Sequence, residues 1–354
     1  MIPRKVRVGL TYDLRDAYLE AGYSELETAE FDRADTIDSL DAALGKLGYE
    51  VDRIGNVRQL AARLVDGDCW DIVFNICEGL HGLGREAQVP ALLDAYSIPY
   101  VFSDTLVCAL TLHKAMTKDV VRAAGVATPD YVLVSDIADV KSVKLAYPLF
   151  AKPVAEGTGK GIEADSKITT PAELLDVCGR LLKKYRQPVL VERFLPGREF
   201  TVGIIGTGRK AKALATLEIE LLPAADADVY SYRNKEFCEE LVVYKILPEG
   251  KLRRAAEALA VKAWRALGGR DAGRIDVRVD DKGEVQLIEV NALAGIHPEH
   301  SDLPMMATQS GVSYESLIGM IMTSAMQRVP AAIRRRVQTA PQKLARQAAA
   351  TIAA

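Results

Sequence analysis

Cysteine is scarce in this sequence of 354 residues, and its spacing is irregular. The five cysteines, at positions 69, 77, 108, 178 and 238, include no Cys-x-x-Cys pair. This spacing indicates neither a zinc knuckle nor a disulfide framework. The cysteines are therefore interpreted as reduced thiols, most of them buried.

Long apolar runs and an excess of one charge are also missing. No stretch approaches the roughly 20 residues that a bilayer span needs, and the N-terminus enters a strand pattern at once. Lys and Arg total 45 against 48 Asp and Glu, which gives no global basic field for nucleic acid. We expect a cytoplasmic protein with no membrane or nucleic-acid partner. The tail, residues 331–354, is locally basic and is interpreted as a weakly ordered end.

The first 104 residues alternate between strand and helix patterns. Residues 6–11 (VRVGLT) are typical of a buried strand and residues 35–47 of an amphipathic helix, and the alternation runs on to a last strand, IPYVFS, at 98–103. This pattern predicts a parallel-sheet α/β domain over residues 1–104. Ligands of such sheets sit beyond the carboxyl ends of the strands, where Tyr12 and Glu78 fall.

After about residue 105 the pattern becomes α+β. Helices and strands no longer alternate regularly, and residues 222–241 form a long irregular stretch before a helix at 251–268. We expect a central subdomain at residues 105–215 and a C-terminal subdomain at 216–330. A chain of this length accommodates about two or three cores.

The stretch AKPVAEGTGKGI, residues 151–162, is the first of three features that indicate a nucleotide site. Its glycines let backbone N–H groups turn toward an anion, and Lys152 and Lys160 can add charge beside a polyphosphate. The spacing is neither that of a Walker P-loop nor that of the dinucleotide fingerprint. Taken alone, the stretch fits a flexible surface turn equally well.

The second feature is a pair of acids in VLVERFLPGREFTV, residues 189–202. Glu192 ends one apolar strand and Glu199 opens the next, with a Pro-Gly turn between them. Two such carboxylates can accept hydrogen bonds from an amino group and a ribose hydroxyl. Solvated loop carboxylates are the commoner explanation for such a pair by itself.

The third feature is a hairpin, GRIDVRVDDKGEVQLIEVNALAG, at residues 273–295. Its alternation places Arg274 and Asp276 on one face, and Glu289 and Asn291 on one face of the second strand together with Leu287. The turn DDKG predicts Glu289 nearly opposite Arg274 and diagonal to Asp276. Two carboxylates and an amide suit magnesium, which completes its shell with water and phosphate. A solvent-facing strand with ordinary salt bridges is the commoner alternative.

These three features, in this order, resemble the ATP-grasp superfamily and, within it, the D-alanine–D-alanine ligase family. Residues 78–104, 109–131 and 303–318 extend the resemblance over about residues 5–325. The resemblance implies an ATP-grasp fold with an N-terminal parallel-sheet domain. It also implies an ADP-forming ligase, acting in peptidoglycan biogenesis, that joins a carboxylate to an amine through an acyl phosphate. Small amino acids or amines are the implied partners, together with a second copy in a homodimer.

The resemblance also assigns roles to residues by matching position. Lys114 and Lys152 hold ATP phosphates, Glu192 and Glu199 hold adenine and ribose, and Arg274 stabilises charge on the acyl phosphate and tetrahedral intermediate. The full set comprises Lys114, Lys152, Glu156, Gly157, Thr158, Gly159, Lys160, Glu192, Glu199 and Lys235 for ATP; Asp276, Glu289 and Asn291 for two Mg²⁺ ions, with Mn²⁺ as an alternative; and Arg274, Gly295 and Ser301 for catalysis. The Gly-rich loop and the segment around Tyr232 and Lys235 are expected to close as lids.

The substrate half departs from the family pattern. The stretch VGLTYDLR lacks the family's Gly-Gly-x-Ser strand and the acid that orients the first substrate ammonium. Thr158 and Gly159 replace a serine pair, Glu236 replaces a tyrosine, and Asp302 replaces an apolar residue beside Ser301. The candidate substrate residues are Glu78, Tyr12, Glu236, His297 and Asp302. The motif HPEH at 297–300 is interpreted as a substrate or lid contact, not as a metal pair.

Two other classes of protein remain as alternatives. A nucleotide-binding module without turnover shares the phosphate and metal residues, but it has no use for Arg274, a group placed to meet developing charge. A nicotinamide-dependent oxidoreductase matches the N-terminal βα pattern, but VGLTYDLR lacks the glycines that it needs. A ligase that joins a different acid or amine also stays open.

Overall fold

The computed structural model of the protein describes residues 5–226 and 228–334. In this part of the chain no helix is both long enough and apolar enough to cross a bilayer. The predicted weakly ordered tail lies outside the described residues, except for its first four.

The N-terminal region forms the predicted parallel sheet. Its elements are β1 (Arg7–Thr11), α1 (Arg15–Glu20), α2 (Ala34–Lys46), β2 (Glu50–Gly55), α3 (Val57–Val65), β3 (Ile72–Asn75) and α4 (Gln88–Ala95), with strand order β2-β1-β3. Helix α2 buries Ile37, Leu40 and Leu44, as its apolar spacing predicts. The predicted strand at 98–103 is wrong. It makes one isolated bridge to the sheet, and its backbone then leaves the sheet where the Phe102 N–H donates to the Asp271 carboxylate at 2.8 Å.

The central region is a four-stranded antiparallel sheet backed by one long helix. Its elements are α5 (Thr105–Leu112), α6 (Lys114–Ala123), β4 (Tyr131–Val134), β5 (Leu149–Pro153), β6 (Lys167–Ile168), α7 (Pro171–Tyr185) and β7 (Val189–Arg193), with strand order β4-β7-β5-β6. Helix α7 covers the sheet with Leu174, Val177 and Leu181. Glu192 therefore sits near the end of an inner strand, at the edge facing the next sheet.

The C-terminal region is built on a five-stranded antiparallel sheet. Its elements are β8 (Glu199–Ile205), β9 (Lys212–Leu221), α8 (Tyr232–Glu236), α9 (Cys238–Leu241), β10 (Val242–Ile246), α10 (Lys251–Leu267), β11 (Ala272–Val279), β12 (Val285–Asn291), α11 (Asp302–Gln309), α12 (Tyr314–Ala325) and α13 (Ala331–Arg334), with strand order β10-β9-β8-β11-β12. The predicted boundary at residue 215 falls inside β9, and β8 pairs with β11, so residues 199–215 belong to this sheet. The stretch 222–241 is not irregular throughout, because it contains α8 and α9.

The hairpin of β11 and β12 has a register different from the predicted one. Asp276 pairs with Glu289, and Arg274 pairs with Asn291, because Val279 pairs with Val285 across a turn of residues 280–284 and the register shifts by one further residue at Asp276. A bulge of one residue reverses which face the following side chains occupy. Leu287 is accordingly buried in the core, while Glu289 and Asn291 face a cleft. The expected grouping of Leu287 with these two polar residues is therefore wrong.

The hairpin is held against the core by a close contact between a helix and a glycine. Trp264 of α10 is fully buried, and a Cβ placed on Gly273 would lie 2.3 Å from its ring. Only glycine at this point allows the indole to lie against the strand. This contact fixes the start of β11, and with it the position of the next residue, Arg274.

Candidate active site

The site is a cleft of about 500 Å³ where the three sheets meet. Its lining comes from the N-terminal segment at 15–36, the Gly-rich loop, the lid segment around Lys235, the end of β12 and the start of α11. A narrower pocket adjoins it between the two antiparallel sheets, beside Lys152, Glu192 and Glu199. We call the narrow pocket, with the lysines and hairpin carboxylates beside it, the nucleotide end. The part of the cleft lined by residues 295–303 is the acceptor end.

A buried triad of charges forms one wall of the nucleotide end. Glu192 lies 2.7 Å from Lys118 Nζ and 3.1 Å from Lys152 Nζ. Burial alone raises the pKa of Glu192, but the two ammonium groups outweigh it and lower that pKa. Burial lowers the pKa of Lys118 to about 8, although Glu192 opposes the shift. The triad has more positive than negative charge, which favours an anionic ligand.

A second lysine and carboxylate pair lies beside the hairpin. Lys114, at the start of α6, is 2.9 Å from Glu289 Oε1 and also donates to the Glu156 carbonyl. Burial raises the pKa of Glu289, but Lys114, Lys152 and Lys235 together lower it to about 2. Glu289 is thus ionised over the whole physiological range. Three of the predicted phosphate lysines converge on this carboxylate.

The three predicted metal ligands lie together on the hairpin. Asp276 accepts hydrogen bonds from Thr201 at 2.7 Å and from the Asn291 amide at 3.2 Å, and its strand partner is Glu289. Among the described residues, no three His, Cys, Asp or Glu side chains form a group that could hold a metal ion. The hairpin set has two carboxylates and one amide, so its oxygen donors fit a cation that takes its remaining ligands from water and phosphate.

The narrow pocket has a flat apolar lining with a carboxylate at its edge. Phe150, Phe194 and Ile288 line it, together with Glu192 and Glu199. Glu199 lies 3.2 Å from Arg278, and burial raises its pKa. Apolar walls with a few fixed polar groups are typical of a site for a planar ligand such as a nucleotide base.

Glu30 of the N-terminal segment contacts the Gly-rich loop. Sequence analysis did not select this residue. The Gly157 N–H donates to Glu30 at 2.6 Å, Lys160 Nζ lies 3.4 Å away, and Arg85 donates to its other oxygen at 2.7 Å. Lys160 also pairs with Glu156 at 2.7 Å. Lys160 therefore meets carboxylates of its own chain, and neither it nor Gly159 lines the cleft.

The two expected lid segments touch each other. The Tyr232 N–H donates to the Ile162 carbonyl at 3.1 Å, and a Cβ on Gly159 would meet the Tyr232 backbone at 3.1 Å. Gly159 also has a φ of +71°, which glycine adopts without strain. Lys235 and the exposed Glu236 line the cleft from the same segment. The loop and this segment thus cover the cleft together.

Arg274 joins the nucleotide end to the acceptor end. Its Nη2 donates to Asp276 at 3.2 Å, its Nε lies 3.1 Å from the same carboxylate, and its Nη1 pairs closely with Asp302. Gly295 and Ser301 lie beside this pair, and a Cβ on Gly295 would sit 2.7 Å from the Ser301 hydroxyl. The predicted catalytic residues are therefore neighbours.

The HPEH loop also borders the acceptor end. The ring nitrogen Nδ1 of His297 accepts the backbone N–H groups of Glu299 and His300, so it shapes the loop. His300 lies 3.4 Å from Glu239 in the lid segment. This geometry supports the expected lid contact.

Acidic side chains that form no salt bridge with any described residue gather at the N-terminal side of the cleft. Glu78, predicted from its strand end, lines the cleft near Glu86 and Asp32. Burial and then Asp13 raise the pKa of Asp32 to about 8, and no described residue hydrogen-bonds or ion-pairs with its side chain. Burial also raises the pKa of Glu86 to about 7. Tyr12 packs on the N-terminal core and does not line the cleft.

Sequence reasoning missed several of these residues. Lys118 follows Lys114 by one helical turn, so the spacing of the two lysines on α6 was a usable signal. Glu30 and Asp32 lie in a segment without a motif, and folding alone brings them to the cleft. Arg85, which pairs with Glu30, belongs to the stretch 78–104 that carries part of the family resemblance.

Comparison of the sequence with known proteins identifies a family and several relatives. Residues 120–323 match the family described as "D-ala D-ala ligase C-terminus". The D-alanine–D-alanine ligase of Aquifex aeolicus is 34% identical over 282 residues, covering 79% of this chain and 91% of that one. The enzyme of the same name from a Polaromonas species is 35% identical over 258 residues, covering 70% of this chain and 73% of that one.

Solved structures share the fold. The D-alanine–D-alanine ligase of Bacillus anthracis, complexed with ATP, superposes with a TM-score of 0.70 at 22% identity, over 92% of this chain and 98% of that one. The VanG D-Ala:D-Ser ligase of Enterococcus faecalis gives a TM-score of 0.69 at 20% identity, over 91% of this chain and all of that one. The fold and the paired lysines and carboxylates thus define an ATP-grasp enzyme, an ATP-dependent, ADP-forming carbon–nitrogen ligase. The chain belongs to the D-alanine–D-alanine ligase family.

Proposed function

We propose that this protein uses ATP to activate the carboxylate of an amino acid and transfers the acyl group to an amine. D-Alanine is the first candidate for the activated acid, because the most similar relatives reported above are named D-alanine–D-alanine ligases. The observation that carries the proposal is the position of Arg274. The guanidinium, paired with Asp276 and with Asp302, stands between the hairpin carboxylates and the start of α11, where acyl transfer between two substrates requires a cation.

In the proposed complex, the ATP phosphates replace carboxylates of the chain as the partners of two lysines. Lys114 and Lys152 turn from Glu289 and Glu192 toward the phosphates, and Lys118 stays to neutralise Glu192. The adenine lies in the narrow pocket, with Glu192 and Glu199 as hydrogen-bond acceptors. Asp276, Glu289 and Asn291 would hold two magnesium ions, which would supply neutralisation of phosphate charge.

The reaction proceeds in two displacements. A carboxylate oxygen of the acid attacks the γ-phosphorus of ATP, and ADP leaves with the electron pair of the broken P–O bond. The amine then attacks the acyl carbon, loses a proton, and phosphate departs to leave an amide. Arg274 and the Gly295 N–H stabilise the negative oxygen that forms at each stage, and Ser301 positions the substrate beside them.

The lid segments protect the acyl phosphate from water. The Gly-rich loop, held by Glu30, and the segment 228–241 contact each other over the cleft. Water that reached the acyl phosphate would hydrolyse it and waste ATP. The family's homodimer, a cytoplasmic location and a role in cell-wall biogenesis belong to this proposal as predictions.

An ADP-release screen over D- and L-amino acids and small amines tests the proposal, with each product identified by mass. Amino-acid-dependent ADP release should disappear in Asp276→Asn, Glu289→Gln and Lys152→Ala, while each variant keeps the wild-type circular dichroism spectrum. Binding of ATP without ADP formation across the whole panel would instead identify a nucleotide-binding module without turnover. Robust turnover by all three variants would also contradict the proposal.

A further inference from the structure

Both accessible sides of the Arg274 guanidinium are held by carboxylates of the chain itself. Nη2 donates to Asp276, and Nη1 pairs with Asp302, in the closest of its contacts. The two carboxylates lie on opposite sides of the arginine, one toward the nucleotide and one toward the acceptor end. A substrate anion at the acceptor end thus meets Asp302 before it meets free guanidinium.

The backbone beside Arg274 would otherwise attract an anion. Asp302 is the first residue of α11, and the N-terminus of a helix presents unpaired N–H groups and a partial positive charge. Asp302 supplies the negative charge that this position favours. Asp302 therefore occupies the position beside Arg274 and the start of α11 where an anion would otherwise bind. A substrate carboxylate at this position would be repelled by the like charge of Asp302.

Two tyrosine hydroxyls and a thiol lie close to Asp302. The hydroxyls of Tyr230 and Tyr244 are hydrogen-bonded to each other at 2.5 Å, and Cys238 lies against them. Burial first and then the charge of Asp302 raise the pKa of both tyrosines, so each keeps its proton. These groups line the cleft and can hydrogen-bond an amide or an amine.

We propose that Asp302 selects the acceptor, and that the attacking amine carries no carboxylate at the position facing the Arg274–Asp302 pair. A neutral amide or a second cationic group occupies that position and donates a hydrogen bond to Asp302. The inference rests on the proposed ligase function and names the class of its second substrate. Asp302 acts here on acceptor choice, while Arg274 keeps its role toward developing charge.

Competition between two matched acceptors tests the inference in the full-length protein. The amino acid that gives ADP release in the screen is mixed at equal concentration with its own carboxamide, for example D-alanine with D-alaninamide. The carboxamide cannot be activated, so it reports only on the acceptor. The mass ratio of dipeptide amide to dipeptide then measures the preference, and we expect the amide product to exceed the acid product about tenfold or more.

Asp302→Asn keeps a residue suited to a helix start and removes the charge. We expect it to lower the ratio of amide to acid product by about tenfold, because a carboxylate now reaches Arg274. A purely structural role would slow both products equally and leave the ratio unchanged. Glu220→Gln is the control, since it removes one exposed charge outside the cleft and breaks only a surface pair with Lys245. Its ratio should stay within about twofold of the wild-type ratio.

The outcomes separate the inference from the proposed function. ADP release with the acid product equal or dominant in the wild type, or an unchanged ratio in Asp302→Asn, overturns the inference and leaves the ligase standing. The absence of ADP release with every acid and amine overturns the proposed function, and the inference with it.

Discussion

The two ends of the cleft are built in different ways. At the nucleotide end, the carboxylates have cationic partners: Glu192 lies between Lys118 and Lys152, Glu289 pairs with Lys114, and Glu199 pairs with Arg278. At the N-terminal side, Asp32 lines the cleft with no ionic partner among the described residues. At the acceptor end, the one arginine is already neutralised by Asp302.

The nucleotide end carries the residues that the family resemblance assigns to ATP, and the acceptor end carries Asp302, which departs from the family pattern. Paired charges stabilise one another in the absence of a ligand, and they can serve a ligand that is common to the family, such as ATP. Glu236 and Asp302, which depart from the family pattern, line the cleft, whereas Gly159 and Tyr12 do not. The two ends can thus vary separately, because the phosphate-binding charges are paired with each other and not with substrate residues.

The largest expected effect comes from Arg274, which links the two ends. Arg274→Gln should lower kcat about a thousandfold, since it removes a cation aimed at charge that develops in the reaction. The Kd for ATP should change little, because the phosphate lysines remain. Stopped assays of ADP release at saturating ATP measure the first quantity, and calorimetric titration the second.

Arg254→Gln is the control for this change, since Arg254 is exposed and pairs only loosely with Glu249, at 3.7 Å. A normal turnover rate in Arg274→Gln would show that catalysis does not depend on this arginine.

The buried charges of the nucleotide end should matter next. Glu192→Gln leaves Lys118 and Lys152 close together without a counter-charge, so the free energy of unfolding should fall by about 3 kcal/mol. Urea unfolding measures this loss. Replacing Lys118 by Met in the same protein should restore part of it.

Glu220→Gln is the matched control, because it breaks an exposed pair with Lys245. That change should cost less than about 1 kcal/mol. Equal losses for the two glutamates would contradict the view that the nucleotide end behaves as a buried ionic core.

Asp32, at the N-terminal side of the cleft, should make the thermal stability of the protein depend on pH. Because the folded pKa of Asp32 is raised to about 8, its contribution to stability is full below the unfolded pKa of 3.8 and is lost as pH rises toward 8. Asp32→Asn cannot ionise, so its Tm should exceed the wild-type Tm at pH 8, and the difference should shrink toward pH 4. Differential scanning calorimetry across this range is the measurement.

Asp16→Asn, on the exposed side of α1, should show no such trend. A cationic substrate should reduce the Asp32→Asn advantage at pH 8 by pairing with the ionised carboxylate. If the Tm difference were the same at pH 4 and pH 8, Asp32 would not titrate in this range.

The smallest effect is expected at the rim. Glu236 is exposed, so Glu236→Gln should change the KM of a charged substrate only about two- to threefold, and the change should vanish as salt screens the charge. KM values at low and at high ionic strength test this. A large, salt-independent change in kcat would mean that Glu236 enters the closed site.

Much of the fold could be predicted because its signals are local. Helix α2 follows from its apolar spacing, and β1 and β3 from short buried runs. The strand predicted at 98–103 failed because its backbone bonds to Asp271, a residue 169 positions from Phe102. No local pattern carries that information.

The candidate site, like the fold, could be predicted from the sequence only in part. Lys152, Glu192, Asp276 and Glu289 were selected from sequence because each stands at a strand position beside a turn or loop. Their mutual contacts depend on a bulge after Asp276, which changes the register that alternation predicts.

By itself, the sequence determined the order of the three nucleotide-site features, the residues that can bind phosphate and metal, and the family that this order indicates. Only the tertiary structure decided that Glu30 holds the Gly-rich loop, that Asp32 lacks an ionic partner among the described residues, and that Asp302 neutralises Arg274. The physical reason is that charges interact through space, over distances of a few ångströms, between residues that the chain brings together from far apart.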